Sequence, residues 1–329
     1  MNLDFLNKKS ILVTGGTGSL GKHLIATLLK DSKASRVAVF SRDELKQSQM
    51  QKEFNDDRLR FFIGDVRDIE RLRRAFSTVD VVIHAAALKQ VPALEYNPLE
   101  AVKTNIIGTE NVIEAALDRG VEKVIVVSTD KAAYPSNLYG STNLCAEKLA
   151  VAANSYPSGK TKFSVVRYGN VIGSRGSIVD ILSQTPRPKV LHVTDPKMTR
   201  FWIMLEESVA FVLLATREME GGEIFVPKLP SMRLDDMLNA LAPDIPQKLT
   251  GPRAGEKLHE LMLTDQESRH TREFPKYYVV LPEFAFWATT QFKKYEKGKK
   301  LPDGFSYESD TNTEWLTKKD LLKMVRTGI

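Results

Sequence analysis

Six short apolar runs rich in β-branched residues recur along the first half of the chain, each followed by a longer stretch with helical spacing. The runs Ser10–Thr14, Arg36–Ser41, Leu59–Ile63, 79–86, 124–129 and 163–168 are apolar along most of their length, as strands covered by helices on both faces must be. Between them, 20–31, 43–54, 68–76, 98–119 and 139–153 read as helices. The alternation predicts an α/β fold built on an open, doubly wound parallel sheet with right-handed crossovers. Past Gly173 the pattern changes. Pro186, Pro188, Pro196, Pro227 and Pro230 punctuate short elements, and the tail is rich in lysine, proline and aromatics. The expected division is a sheet domain over 1–172 and a smaller cap domain over 173–329, some of whose segments return to the sheet.

Composition narrows the classes. Across 329 residues, 42% hydrophobic and 27% charged positions are globular averages and exclude disordered or collagen-like chains. A single cysteine, Cys145, excludes a disulfide framework and any multi-thiolate metal centre. His84, His192 and His259 lack metal-ligand spacing, so no metal is expected. No apolar run reaches the roughly 18 residues a spanning helix needs, and Met1-Asn2-Leu3-Asp4 lacks a basic leader region. A soluble, cytoplasmic protein without a membrane partner is expected. The net charge of +6 comes from 47 basic and 41 acidic residues that are interspersed rather than blocked. That speaks against nucleic acid and suits an anionic small molecule.

The first strand runs into Gly15-Gly16-Thr17-Gly18-Ser19-Leu20-Gly21 and then a helix. Gly15 permits the tight turn, Gly18 lets backbone approach a pyrophosphate, and Gly21 lets helix and strand pack closely. Thr17, Ser19 and Leu20 complete a loop whose N–H groups face the phosphates of a dinucleotide. Placed between the first strand and first helix, this is the Rossmann-type signature. The second strand ends in Ser41-Arg42-Asp43 with Lys46 one turn on. Ser41, Arg42 and Lys46 favour NADP, whereas Asp43 keeps NAD open. Asp65 and Val66 after the third strand would meet adenine, and Ala85, Ala86 and Ala87 after the fourth are small enough to run under a cofactor.

The fifth strand ends in Ser128-Thr129-Asp130-Lys131, and Tyr139 opens the next helix. An acid, a base and a phenol thus gather where ligands bind such sheets. The runs Thr129-Asp130-Lys131-Ala132-Ala133 and Leu138-Tyr139-Gly140 resemble the extended short-chain dehydrogenase/reductases that dehydrate nucleotide sugars. They are most similar to the inverting UDP-N-acetylglucosamine 4,6-dehydratases that start pseudaminic acid biosynthesis. Matching runs at 63–68, 84–92, 167–177, 198–202, 222–231, 253–260 and 303–307 extend the likeness over nearly the whole chain.

The resemblance implies a redox-neutral elimination on UDP-N-acetylglucosamine, with a tightly bound NADP that is recycled. Tyr139 would take the proton of the 4-hydroxyl, Lys131 the proton on carbon 5, and Asp130 would protonate the departing 6-hydroxyl. A lysine base must be neutral, so its pKa is expected to fall. Lys89 and Asn105 join the cofactor set by resemblance, and Lys89 also the sugar set. The substrate set adds Thr129, Asn170, Val171, Thr194, Arg200, Arg253 and Glu256, with Arg200 and Arg253 on the diphosphate. Ser174-Arg175-Gly176-Ser177 offers hydroxyls and a guanidinium to an anion. A homo-oligomer is implied as well.

One residue departs from the superfamily. Four positions after Tyr139, the usual lysine is replaced by Asn143. An ammonium about 6 Å from a phenol, at an effective dielectric near 20, contributes roughly 2.8 kcal/mol, or about two pKa units. Asn143 can bond a ribose hydroxyl but carries no such charge. Either Lys131 and the nicotinamide compensate, or the enzyme is slow. A retaining dehydratase or epimerase, an NADPH-dependent ketosugar reductase, and a silent dinucleotide-binding regulator are the alternatives on the same scaffold.

Overall fold

Ser10–Thr14 is buried at every position, and Ile11, Leu12 and Val13 have no exposed surface. A strand like this must lie in the middle of a covered sheet. The computed structural model, which describes residues 2–156, 160–174, 176–183, 186–284 and 290–328, places it there. Strands β1 (Ser10–Thr14), β2 (Arg36–Ser41), β3 (Leu59–Ile63), β4 (Val81–His84), β5 (Lys123–Thr129) and β6 (Lys162–Tyr168) run parallel in the order β3-β2-β1-β4-β5-β6. This is the doubly wound Rossmann order. The direction of progression reverses at β1, and the crevice beyond the C-terminal ends of β1 and β4 is where such sheets bind ligands.

The sheet does not stop at β6. Ile224–Pro227 pairs parallel with it, followed by antiparallel Tyr277–Val280, Thr271–Glu273 and Lys299–Lys300, for ten strands among the described residues. The cap keeps a small sheet of its own, with Thr199–Ile203 between Asn170–Val171 and Ser231–Arg233. It also has a separate apolar cluster around Ile172, Trp202, Met232 and Met237. Among the described residues no helix is long and apolar enough to cross a membrane.

Helices begin where short polar side chains can cap them. Asp43, Asp68 and Asn137 accept from the backbone N–H of Lys46, Arg71 and Gly140 and so open the helices Glu44–Phe54, Ile69–Ala75 and Leu138–Ala152. Two expected elements differ. The run 79–86 yields only Val81–His84: Asp80 turns its carboxylate to Ser10 N at 2.7 Å, and Ala85, whose N–H still reaches Thr14 O at 3.2 Å, lies close against Gly15. The expected helix 98–119 is interrupted. Pro98–Ala101 passes through a wider π-type segment, Val102–Ile107, before Gly108–Arg119. Such bulges mark places where a side chain must be re-aimed, and here it is Asn105 that is turned inward.

Candidate active site

The glycine loop is built by close approach. Gly15 has φ +67°, and a Cβ on it would stand 2.8 Å from Ala85 O. A Cβ on Gly21 would fall 2.5 Å from Gly15 O. Gly18 precedes the helix Ser19–Asp31 and offers no side chain to cap it, so that helix end is left to be satisfied by an anion. Two recesses meet at Gly15, Gly18, Ala85 and Ala87. One, of about 560 Å³, is walled by Thr17, Ser41, Arg42, Asp43, Lys46, Asp65, Val66 and Ala86. The other, of about 1120 Å³, runs over Ser19, Leu20 and Gly21 to the ends of β5 and β6. A continuous groove with a glycine cradle at its waist fits a dinucleotide.

In the smaller recess the carboxylates are engaged. Asp43 caps its helix through Lys46 N at 2.9 Å and also pairs with the Lys46 ammonium. Ser41 Oγ accepts from Gln47 Nε2 at 3.1 Å. Burial alone would raise the Asp65 carboxyl, but Arg67, bonded at 2.7 Å, holds it below the usual range. The Arg42 guanidinium is more than half exposed and lies 3.6 Å from Asp65. Asn105 is not brought to either recess. It exchanges hydrogen bonds with the backbone of Leu88 at 2.8 and 3.0 Å and donates to Thr142 Oγ1 at 3.1 Å. Its amide braces the irregular segment that follows Ala87.

The larger cleft gathers Thr129, Asp130, Lys131, Tyr139 and Asn143. Asp130 is only 1% exposed. Its Oδ1 accepts from Thr129 Oγ1 at 2.9 Å and from Lys131 Nζ at 3.1 Å, while its buried Oδ2 has no partner. On its other side Lys131 Nζ is 3.0 Å from Glu260 Oε1. Burial pulls the Lys131 amine down, but Asp130 and Glu260 together outweigh it and hold the ammonium above the ordinary lysine range. The expected depression of this lysine is therefore not found. Burial pushes the Tyr139 phenol up, and the Lys131 charge and a hydrogen bond with Thr129 pull it part of the way back. Asn143 is buried and donates to Tyr139 O at 2.8 Å, bracing the first turn of the helix without charge.

Beyond β6 the same cleft is lined by Lys89, Asn170, Val171, Ser174, Gly176, Ser177, Thr194, Arg200, Arg253 and Glu256. Arg175 lies outside the described residues. The guanidinium of Arg200, in the same lining, is engaged by the protein. Its terminal N–H groups bond Thr199 O, Leu258 O and Lys257 O at 2.8–3.0 Å and Met198 Sδ at 3.4 Å. Its Nε stands 3.6 Å from Glu260. Arg200 thus ties the 257–260 loop to the cap sheet, and Arg253 is an exposed residue of the cleft lining.

Glu260, 2% exposed, and Lys257, whose Nζ donates to Ala133 O at 2.6 Å, are site residues that sequence reasoning did not single out. Burial pulls Lys257 below the usual lysine range. Only the charged spacing of Arg253, Glu256, Lys257 and Glu260 hints at them. Among the described residues no group of three or more His, Cys, Asp or Glu could hold a metal.

Comparison with known proteins follows the same lines. The family model described as polysaccharide biosynthesis protein matches residues 11–282. The UDP-N-acetylglucosamine 4,6-dehydratase (inverting) of Campylobacter jejuni subsp. jejuni serotype O:2 is 51% identical over 97% of this chain and 98% of its own. The UDP-glucose 4-epimerase of Rickettsia conorii is 42% identical over 82% of each chain. The X-ray structure of Pen from Bacillus thuringiensis superposes with a TM-score of 0.89 at 34% identity and covers 98% of both chains.

Proposed function

This chain belongs to the polysaccharide biosynthesis protein family, and we propose that within it the protein is an inverting UDP-N-acetylglucosamine 4,6-dehydratase that uses a bound NADP. The observation that carries the reading is the juxtaposition of Asp130, Lys131 and Tyr139 in one cleft with the glycine cradle. An epimerase working only at carbon 4 needs a phenol. It has no use for a lysine and an aspartate joined at 3.1 Å beside that phenol, whereas loss of water across carbons 5 and 6 needs both a base and an acid.

The nicotinamide, when bound, supplies the temporary oxidation of carbon 4 and its repayment at carbon 6. Gly15, Gly18 and Gly21 would hold the pyrophosphate, with Thr17, Ser19 and Leu20 around it. Asp65, Val66 and the Ala85–Ala87 segment would flank the adenosine and nicotinamide halves, and Lys89 would stand near the sugar. Arg42 favours a ribose 2′-phosphate, since Asp43 is occupied with its helix cap and Lys46. On the sugar side, Asn170, Val171, Ser174, Ser177 and Thr194 would position the UDP-hexosamine, Arg253 its diphosphate, and Glu256 a hydroxyl.

Tyr139 takes the proton of the 4-hydroxyl while the Lys131 ammonium steadies the phenolate. One proton transfer then prepares the elimination. The Nζ–H bond of Lys131 breaks and an O–H bond forms on Asp130, across the 3.1 Å contact. The ion pair becomes a neutral amine with a free lone pair and a carboxylic acid with a proton to give. Lys131 removes the acidified proton on carbon 5, Asp130 gives its proton to the 6-hydroxyl, which leaves as water, and a proton taken from solvent on the opposite face of carbon 5 inverts it.

The test is incubation of the full chain with UDP-N-acetylglucosamine in deuterated water, followed by NMR. The expected product is a UDP-4-keto-6-deoxy sugar, inverted and deuterated at carbon 5, with no net change in nucleotide oxidation. A 4-epimer that keeps its 6-hydroxyl, or steady NADPH oxidation, would overturn the reading.

A further inference from the structure

Lys131 is held from two sides, and only one of its holders comes from its own turn. Asp130 precedes it in sequence. Glu260 arrives from the cap segment, its backbone N–H donating to Ser309 Oγ at 2.9 Å and its carbonyl accepting from Ser309 N at 2.9 Å. Ser309 is itself fixed by Thr199, whose carbonyl accepts from Ser309 Oγ at 3.1 Å. Glu260 is thus a rigidly mounted carboxylate, 2% exposed and in the wall of the cleft, with Oε1 on Lys131 and Oε2 without a partner. A carboxylate in such surroundings is costly unless it faces a cation. The cations it faces are Lys131 at 3.0 Å and Arg200 at 3.6 Å.

We propose that Glu260 is a positioning residue for Lys131: it pins the amine against Asp130 and keeps it cationic beside Tyr139 until the sugar has been oxidised. The inference rests on the dehydratase reading and adds to it the answer to the missing charge at Asn143. Asn143 is neutral and turned to Tyr139 O, so the charge that lowers the phenol must come from elsewhere, and Lys131 is where it comes from.

The groups facing the Lys131 amine are Asp130 from the β5 end, Glu260 from the 257–260 loop, Arg200 from Thr199–Ile203 and Tyr139 from Leu138–Ala152; Lys257 adds a second amine to the set. Without Glu260, Asp130 alone would oppose burial and Arg200. After the proton passes to Asp130, Glu260 remains paired with Arg200 and still accepts one N–H of the neutral amine, so the lone pair keeps its direction.

The experiment titrates Lys131 directly, by NMR of full-length protein labelled with 13C at lysine Cε and assigned with Lys131→Met. In Glu260→Gln the proton affinity of Lys131 is expected to drop roughly 10- to 1000-fold. The basic limb of the kcat profile, where Lys131 loses its proton, should move to lower pH, with kcat down about tenfold and KM for UDP-N-acetylglucosamine nearly constant. Glu260→Asp keeps the charge and withdraws the contact, so it should leave the titration near that of wild type but lower kcat. It carries the comparison if the glutamine variant fails to fold. An unaltered Lys131 titration in Glu260→Gln, or an unaltered kcat in Glu260→Asp, overturns the proposal. Absence of any dehydration by the wild type would overturn the dehydratase reading instead, and the titration would still report on Glu260.

Discussion

The hydroxyl hydrogen of Thr109 is spent on Asn105 O at 2.7 Å, so at His84 the ring must donate from Nε2 to Thr109 Oγ1 and accept at Nδ1 from Thr14. Neutral imidazole satisfies both contacts; an imidazolium would lose one of them. Full burial pushes His84 down to about 4 from its ordinary 6.5. Because the folded value lies below the unfolded one, the stabilisation is complete above about pH 6.5 and is lost as pH falls toward 4, to the extent of about 3 kcal/mol. Urea unfolding of the wild type should show this loss between pH 6.5 and 4, and His84→Asn should flatten that part of the profile. A second prediction concerns Asn143. Asn143→Lys restores an ammonium near the Tyr139 phenol, and the rate at neutral pH should rise roughly 10- to 100-fold. Initial rates across pH check it, and an unchanged rate would show that Lys131 already supplies all the charge the phenol can use.

Elements meet at one buried guanidinium. Arg167 on β6 is fully buried and bonds Glu147 of Leu138–Ala152 at 2.6 and 3.1 Å, Glu267 at 2.9 and 3.0 Å, and Met262 O at 2.9 Å. Ser128, at the end of β5, donates to Glu147 at 2.5 Å. The network locks together the strand that carries Asp130, the helix that carries Tyr139, and the cap segment that carries Glu260. Glu147→Ala leaves Arg167 short of a partner in a dry interior and should cost about 3–5 kcal/mol, measured by urea unfolding. Such elements are unequally legible in sequence. The strands β1 to β6 announce themselves because burial on both faces leaves continuous apolar runs, and Asp130, Lys131 and Tyr139 are legible because they are close in the chain at a strand end. The π-type segment at Val102–Ile107 is not, since apolar spacing is the same whether or not the helix bulges. Nor are the partners of Arg167 and Lys131. Glu267 and Glu260 reach them only because the cap folds back, and no local pattern encodes that return. Arg200 looked like an anion fork for the same reason, as its backbone acceptors at Leu258 and Lys257 come from a loop far along the chain.

At the scale of the whole molecule, the chain after 172 completes the sheet as well as walling the cleft. Ile224–Pro227 takes the open edge of β6, and Tyr277–Val280 and Thr271–Glu273 extend the cover. Helix Leu205–Glu218 packs on Ser19–Asp31 and on β5, burying Val209, Val212 and Leu213 against the sheet. A parallel sheet needs both faces covered, and a bare apolar edge strand is a template for aggregation. Expressed alone, residues 1–172 would expose the β6 edge together with the face that Leu205–Glu218 covers. That fragment retains the glycine cradle, Arg42 and the Asp130–Lys131 turn after β5, but it loses Glu260 and the Glu267 side of the Arg167 network. It is therefore expected to lack a cooperative thermal transition and to bind a nicotinamide dinucleotide at least tenfold more weakly than the full chain, because whatever affinity remains must first be spent on ordering the sheet. Calorimetry on the fragment and the full chain decides the matter. A sharp melt with undiminished dinucleotide binding would show that the first 172 residues fold as an autonomous unit and that the returning strands serve only the cap.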